Sequence, residues 1–311
     1  MKGKILVTPR AFAKSGMAEI EKMRNEGWDV HVNETGKSYT HEEFLNLAKD
    51  VDGIIIGVDT ADKEMMDQCP NLKAIAKYGV GVDNIDLEAA KEKGIKISRA
   101  IGCNSLSVAE HAMSFVFALS KNIYKATKNV KEGGWDKIYG FELYGKTIGI
   151  IGFGNIGKHV ARIANGIGMK VCAYDSFPID ETYAKEHDVE ICTFDELIQK
   201  SDAITVHVPL TPDTKDLINL DVMKKMKNTA ILINAARGGI VNEEDLYTAL
   251  SQNEIAGAGF DVFTEEPPKA DEKLLTLDNF LLTPHTASKT KEADNNTIQA
   301  SVRNILADLE G

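Results

Sequence analysis

The stretch Lys146-Thr-Ile-Gly-Ile-Ile-Gly152-Phe-Gly154-Asn-Ile-Gly157-Lys158 reads as a buried strand, a glycine-rich turn and the start of a helix. A second apolar run, Met169 to Tyr174, ends on Asp175, which lies 21 residues beyond Gly154. Glycine-rich turns are common, and an α/β turn without a ligand can carry the same three glycines. The strand before, the helix after and the acid at this distance are the context that a dinucleotide site requires. Each glycine has its own reason. Gly152 permits the tight turn, Gly154 lets the backbone approach a pyrophosphate, and Gly157 lets the helix pack closely on the strand. The unpaired N–H groups and positive end of the helix suit phosphate charge. A carboxylate at Asp175 accepts two ribose hydroxyls and repels a 2′-phosphate, and Ser176 and Phe177 supply no arginine for one. The pattern predicts an NAD site.

Working outward, strands and helices alternate almost from end to end, which implies parallel sheets covered by helices. The first third offers strands at Lys4 to Thr8, Asp29 to Val32, Gly53 to Gly57, Leu72 to Lys77 and Ile95 to Ile97. Helices are expected from Met17 to Glu26 and from Thr40 to Lys49, with Thr40 as the N-cap. A long apolar helix from about Asn104 to Ser120 suits a domain or subunit junction. A glycine- and lysine-rich stretch, Lys128 to Gly145, leads into the glycine motif. Beyond Asp175, strands are expected at Ala203 to Val208, Ala230 to Asn234, Gly257 to Val262 and Phe280 to Thr283. The final helix, Ala293 to Leu309, has no sheet of its own to complete. The predicted class is α/β with two doubly wound parallel-sheet domains. The larger, a Rossmann domain over residues 101–287, is inserted in a smaller one made of residues 1–100 plus 288–311, with hinges for domain closure near 100 and 288.

The composition fits that class. Of 311 residues, 43% are hydrophobic and 27% charged, enough for two ordinary domains. The net charge of −11 argues against nucleic acid as a main partner. No apolar run reaches the length of a membrane span, and the opening residues read as a strand rather than a signal peptide. Cys69, Cys103, Cys172 and Cys192 have no metal-ligand spacing, so no metal site is expected, and their use suggests a reducing cytoplasm.

Ligands of open α/β sheets sit outside the carboxyl ends of the strands. Arg237, Glu266 and His285 each fall just past a predicted strand of the larger domain. Singly, each could be a surface charge. Together, beside a nicotinamide site, they suit hydride exchange between a 2-hydroxy acid and its 2-oxo acid. Arginine holds the carboxylate and polarises the carbonyl. Histidine exchanges the proton. A glutamate bonded to the imidazole orients it.

Several ordered segments now carry a family resemblance. They include Lys77-Tyr-Gly-Val-Gly-Val-Asp-Asn-Ile-Asp86, Asn104-Ser-Leu-Ser-Val-Ala-Glu110, the glycine motif and His207-Val-Pro-Leu-Thr211. Asn234-Ala-Ala-Arg-Gly-Gly-Ile-Val241, Asp261-Val-Phe-Thr-Glu-Glu-Pro267 and Thr283-Pro-His285 complete the set. The chain resembles the D-isomer-specific 2-hydroxyacid dehydrogenases over essentially its full length. The resemblance implies that Arg237, Glu266 and His285 are catalytic and that Asp261 meets the nicotinamide carboxamide. It implies Asn155 and Ile156 over the pyrophosphate, and Val208, Pro209 and Ala235 lining the cofactor cleft. Tyr78, Gly79, Val80 and Gly81 would offer backbone N–H groups to the substrate carboxylate. A homodimer built on the long helix and the stretch around Trp135 is also implied.

Thr8-Pro9-Arg10 and the run after Lys77 look most like the D-3-phosphoglycerate dehydrogenase branch, in a short form without a carboxy-terminal regulatory domain. Arg10 and Lys77, both near strand ends, could hold a phosphate; equally, both could be solvated surface charges. Lysine stands where that branch often has arginine and lacks its bidentate fork. The expected reaction is therefore the interconversion of 3-phosphoglycerate and 3-phosphohydroxypyruvate in serine biosynthesis, with a hydroxypyruvate, glyoxylate or D-lactate type reductase as the alternative. An NADH-sensing corepressor-like protein is the alternative from another class. His111 reads as a packed histidine rather than a ligand, His207 as a backbone lining of the cleft, and Asp83 and Asn84 as turn formers.

Overall fold

The computed structural model describes residues 2–311. The chain folds as two compact units: one runs up to Asn104 and takes in Lys289–Gly311, and the other is Ser105–Ser288. Each unit is a parallel sheet with helices on its faces.

The first unit contains β1 (Gly3–Val7), β2 (Trp28–Val32), β3 (Gly53–Ile56), β4 (Ala74–Lys77) and β5 (Lys96–Arg99), in the order β2-β1-β3-β4-β5. All of its neighbours pair in parallel. Its central strands are buried on both faces, so β3 reads as an unbroken Ile54-Ile55-Ile56 run rather than an alternation. Helix His41–Ala48 starts where the sequence puts it. Thr40 Oγ1 accepts from the amide of Glu43, and the Glu43 carboxylate accepts from the amide of Thr40. The final helix, Lys291–Glu310, finds its sheet here. Ile298, Val302 and Ile305 pack with Ile5, Val7, Ile55, Ala74 and Ala76. Burying each such side chain contributes roughly 1.5–3 kcal/mol, which ties the end of the chain to its beginning.

The second unit contains β6 (Thr147–Ile151), β7 (Lys170–Tyr174), β8 (Val189–Ile191), β9 (Ala203–Val206), β10 (Ile231–Asn234), β11 (Gly257–Phe260) and β12 (Phe280–Leu282). Their order is β12-β11-β10-β9-β6-β7-β8. The chain winds one way from β6 through β8 and the other way from β9 through β12. The reversal lies between β6 and β9, which are paired in register from Ile148 and Ala203. A crevice opens at the carboxyl ends of such a pair and is where open sheets hold ligands. Gly152 follows β6, and His207-Val208-Pro209 follows β9.

Two elements depart from the sequence reading. Strand β8 is absent from it, because an edge strand of three residues with only Val189 buried leaves no alternation to see. Part of the glycine- and lysine-rich lead-in is helical: Ile123–Lys131 forms a helix with no buried residue, leaving Ile123, Tyr124 and Val130 exposed. Strand ends also shift. The strand expected to reach Val208 stops at Val206, and the one expected to reach Val262 stops at Phe260.

Candidate active site

At the turn after β6, Gly152 has φ 94°, and a Cβ there would lie 2.6 Å from the His207 carbonyl oxygen. A Cβ on Gly157 would lie 2.4 Å from the Gly152 oxygen. Both glycines are therefore required by close backbone approach. Gly154 differs, since a Cβ there would meet nothing within 4 Å. Its side of the turn is open to an approaching group. Gly154 is also the N-cap of helix Asn155–Gly166 and offers no side-chain cap, so the first amides of that helix, at Asn155 and Ile156, face outward without a capping oxygen. An open glycine cradle at a helix N-terminus fits a pyrophosphate.

Asp175 has a structural task that its sequence position did not reveal. Its Oδ2 accepts from the amide of Phe153 at 2.7 Å and its Oδ1 from the amide of Phe177 at 3.0 Å. The carboxylate thus braces the glycine turn, and each oxygen keeps acceptor capacity for a ribose hydroxyl. Ile156 and Ala235 pack in one small apolar cluster with Val108 and Ala287. Val208 Cγ1 lies 2.9 Å from where a Gly152 Cβ would be, so it packs on the turn. Pro209 is exposed, its carbonyl accepting from Thr214 Oγ1 at 2.6 Å. Beneath them, His207 Nε2 lies 2.9 Å from Thr205 Oγ1, while its Nδ1 is buried without a partner. Burial pushes the His207 pKa down to about 3, so the ring is neutral.

The three ionisable candidates follow β10, β11 and β12, which are adjacent in the sheet. Buried Asn234 shapes the first loop: its Oδ1 accepts from the amide of Ala236 and its Nδ2 donates to the Arg237 carbonyl. Arg237 Nη1 donates to the Ala236 oxygen at 2.8 Å. A Cβ on Gly238 would lie 2.1 Å from the carbonyl carbon and oxygen of Phe263. Only a glycine lets the arginine loop touch the loop that carries Glu266. Glu266 Oε1 accepts from the amide of Phe263 at 2.9 Å, and Oε2 lies 2.8 Å from Nδ1 of His285. His285 is half exposed and has φ 52°. A non-glycine residue held there costs about 1–2 kcal/mol.

Asp261 is 1% exposed, and its carboxylate accepts from Thr283 Oγ1 and the amides of Thr286 and Ala287. It serves as the cap of the His285 loop, an arrangement invisible in sequence because its partners lie 22 to 26 residues away. His111, read as a packed residue, does pack edge-on to Phe115 at 5.0 Å, and it is also hydrogen-bonded, with Nε2 2.9 Å from Thr283 Oγ1.

In the first unit, Lys77 ends β4. Its ammonium donates to Gly57 O and Asn84 Oδ1, both at 2.6 Å, so it braces the loop that follows. Asn84 is a turn former as expected, donating to the carbonyls of Gly57 and Asp59. Of the four amides expected to offer themselves to a carboxylate, two are engaged: Tyr78 N donates to Ile56 O and Gly79 N to Lys77 O. Val80 and Gly81 remain as the loop's candidate donors. The Tyr78 hydroxyl donates to Asp294 Oδ1 at 2.9 Å, and burial with that neighbouring charge raises its pKa. Arg10 is exposed just past β1, at the entry of helix Ala11–Ser15. Among the described residues no cluster of His, Cys, Asp and Glu could hold a metal, and no helix is long and apolar enough to cross a membrane.

Residues 113–287 match the profile of the D-isomer specific 2-hydroxyacid dehydrogenase NAD binding domain. The chain belongs to this dehydrogenase family. Its larger unit is an NAD-binding domain, as the glycine cradle and Asp175 indicate. Among relatives of this family member, a D-3-phosphoglycerate dehydrogenase of Archaeoglobus fulgidus is 43% identical over 94% of this chain and 55% of its own. A hydroxypyruvate reductase of Thermotoga maritima is 41% identical over 88% of this chain and 90% of its own. The solved D-lactate dehydrogenase of Aquifex aeolicus, complexed with NAD and lactic acid, superposes with a TM-score of 0.84 and is 29% identical over 99% of this chain and 96% of its own. The chain thus spans about half the length of the phosphoglycerate relative and nearly all of the other two.

Proposed function

We propose that this protein is an NAD-dependent oxidoreductase that interconverts a D-2-hydroxy acid and its 2-oxo acid. The observation that carries the reading is the pair His285 Nδ1 and Glu266 Oε2, 2.8 Å apart in loops at the carboxyl edge of the NAD-binding sheet, beside the loop of Arg237. The bound nicotinamide supplies or accepts the hydride. Arg237 holds the substrate carboxylate and polarises the carbonyl through its fork of donors. His285, with Nδ1 facing Glu266, exchanges the proton at the substrate oxygen through Nε2. Glu266 orients the ring through its contact with Nδ1. Gly152, Gly154, Asn155, Ile156 and Gly157 cradle the pyrophosphate, and Asp175 takes the ribose. Val208, Pro209 and Ala235 line the cofactor, and Asp261 reaches its carboxamide. In the first unit Val80 and Gly81 are the amides offered to a substrate carboxylate.

For the substrate we infer 3-phosphoglycerate and its 2-oxo product, supported by the phosphoglycerate relatives and by Arg10. That arginine is exposed beside the point where the order of the first sheet reverses, between β1 and β3. The geometry of Lys77 favours a second reading. Its ammonium is engaged with Gly57 and Asn84, which weakens it as a phosphate ligand and supports an unphosphorylated acid such as hydroxypyruvate or glyoxylate. NADH oxidation at 340 nm with 3-phosphohydroxypyruvate, hydroxypyruvate, glyoxylate and pyruvate separates them. Preference for the phosphorylated acid, lost in Arg10→Ala, supports the first reading; preference for an unphosphorylated acid supports the second. Silence across the panel with NADH still bound overturns the enzyme assignment in favour of an NADH sensor.

We also infer a cytoplasmic homodimer. Phe117, Ile123, Tyr124, Val130, Trp135 and Tyr139 are exposed in the second unit, more apolar surface than one segment of a monomer usually shows. The four cysteines are free thiols, which suits a reducing compartment.

A further inference from the structure

The loop that carries His285 is held from a direction that the reaction does not explain. Helix Ser105–Ser120 packs closely on β11: a Cβ on Gly259 would lie 2.7 Å from the ring of Phe115. Two polar side chains on one face of that helix, a turn apart, reach the His285 loop. Ser107 Oγ donates to the Ala287 carbonyl at 2.6 Å, and His111 Nε2 lies 2.9 Å from Thr283 Oγ1. Thr283 and Ala287 bracket His285.

The direction of these bonds follows from the donor count. Thr283 has one hydroxyl proton and donates it to Asp261 Oδ1 at 2.5 Å. Its oxygen therefore accepts from His111, and His111 carries a proton on Nε2. The chain of donors runs His111 to Thr283 to Asp261. The Asp261 carboxylate also takes the amides of Thr286 and Ala287, at 2.8 and 2.7 Å. The Asp261 carbonyl takes the amide of His285 itself at 2.9 Å. Residues 283–287 are thus pinned from below by Asp261 and at both ends by the helix, around a histidine at φ 52° that would otherwise relax.

We propose that His111 and Ser107 are positioning residues for His285, acting through Thr283, Asp261 and Ala287. This rests on the reading of His285 as the proton exchanger. Small displacements of a proton-transferring group lower turnover more than they weaken cofactor binding, because the glycine cradle and Asp175, proposed to hold the pyrophosphate and ribose, lie outside this chain of bonds.

The test compares His111→Phe, His111→Gln and Ser107→Ala with the parent, with NADH varied at a saturating concentration of the best acid of the panel. Phenylalanine keeps the packing on Phe115 and removes the donor; glutamine returns an N–H donor near the position of Nε2. We expect His111→Phe to lose about tenfold or more in kcat with KM for NADH within about twofold, Ser107→Ala to lose severalfold, and His111→Gln to recover most of the loss. Hydrogen–deuterium exchange over residues 281–290 should rise in His111→Phe and Ser107→Ala and return toward the parent in His111→Gln. Parental turnover in His111→Phe, or equal losses in the phenylalanine and glutamine variants, would overturn the proposal. If the parent itself reduces no acid, the enzyme reading fails alone; unchanged exchange in His111→Phe and Ser107→Ala then separately overturns the clamp. Should His111→Phe not fold, the glutamine and Ser107→Ala variants give the same two readouts.

Discussion

Glu266 bridges two partners at once: Oε2 lies 2.8 Å from His285 Nδ1, and Oε1 accepts from the amide of Phe263 at 2.9 Å. The second contact anchors the carboxylate, so the first orients a ring rather than following it. Removing the carboxylate in Glu266→Ala should lower kcat by about 100-fold, the lower end of the roughly 10²–10⁴-fold that positioned proton transfer contributes. NADH binding, measured by fluorescence titration, should stay within about twofold of the parent, because Glu266 lies outside the glycine cradle. A variant that turns over at the parental rate would remove Glu266 from the catalytic set.

Gly238 marks the contact between the loops of Arg237 and Glu266. In Gly238→Ala the new methyl would fall 2.1 Å from Phe263 backbone atoms, which cannot rotate away as a side chain could. We expect a loss of about 1–3 kcal/mol in urea denaturation, the usual cost of overpacking. Activity should fall further than stability, because the loops part at Arg237 and Glu266, the residues proposed to be catalytic. Unchanged melting and turnover would show that the loops adjust freely.

Asp175, proposed to take the ribose, also braces the glycine turn through its bond to Phe153. Asp175→Ala should weaken NADH binding by about tenfold or more, as loss of a charged hydrogen-bond partner costs about 1.5–3 kcal/mol. NADPH binding should weaken less, since the repulsion of the 2′-phosphate goes with the carboxylate. Titrating both cofactors against the variant checks the two effects together; equal losses for both would contradict the assigned role.

His207 sets a pH dependence of stability. Its folded pKa is pushed down to about 3 by burial, below the value of about 6.5 for an exposed histidine. Between these values the unfolded chain binds the extra proton, so stability rises with pH. The contribution is present above about pH 6.5 and is lost as pH falls toward 3, with a slope of at most about 1.4 kcal/mol per pH unit. Urea midpoints of the parent between pH 7 and 4.5 should fall more steeply than those of His207→Gln, which keeps a polar partner for Thr205. Parallel profiles would mean that His207 is solvated in the folded protein.

Trp135 is 80% exposed, next to the unburied helix Ile123–Lys131. If the protein is the proposed dimer, placing a charge there in Trp135→Asp should convert it to a monomer in light scattering, because an unpaired carboxylate is costly to bury in an apolar interface. A dimer that survives the change would move the interface elsewhere.

Much of the fold could be read directly. The apolar strand runs, the capping pair Thr40 and Glu43, and the spacing from Gly154 to Asp175 are local signals that act within one or two elements. Short-range physics sufficed for the two parallel sheets and for the glycine cradle. Strand β8 escaped because three residues with one buried leave no period, whereas helix Ile123–Lys131 carries a helical spacing at Ile123, Ala126 and Val130 that the glycine- and lysine-rich residues around its end obscure. Arg237, Glu266 and His285 could be named from their places after successive strands, together with the family resemblance.

What each of those groups touches was decided only by the tertiary structure. No sequence pattern shows that Lys77 is engaged with Gly57 and Asn84, or that Gly238 is pressed against Phe263. Nor does one show Asp261 capping a loop 22 to 26 residues ahead, or His111 reaching Thr283 across 172 residues of chain. The sequence by itself determined which strands and turns could form, because propensity, periodicity and glycine freedom act on neighbouring residues. The tertiary structure decided which donors meet which acceptors, because buried polar groups must be satisfied by whatever the packed sheet brings within reach.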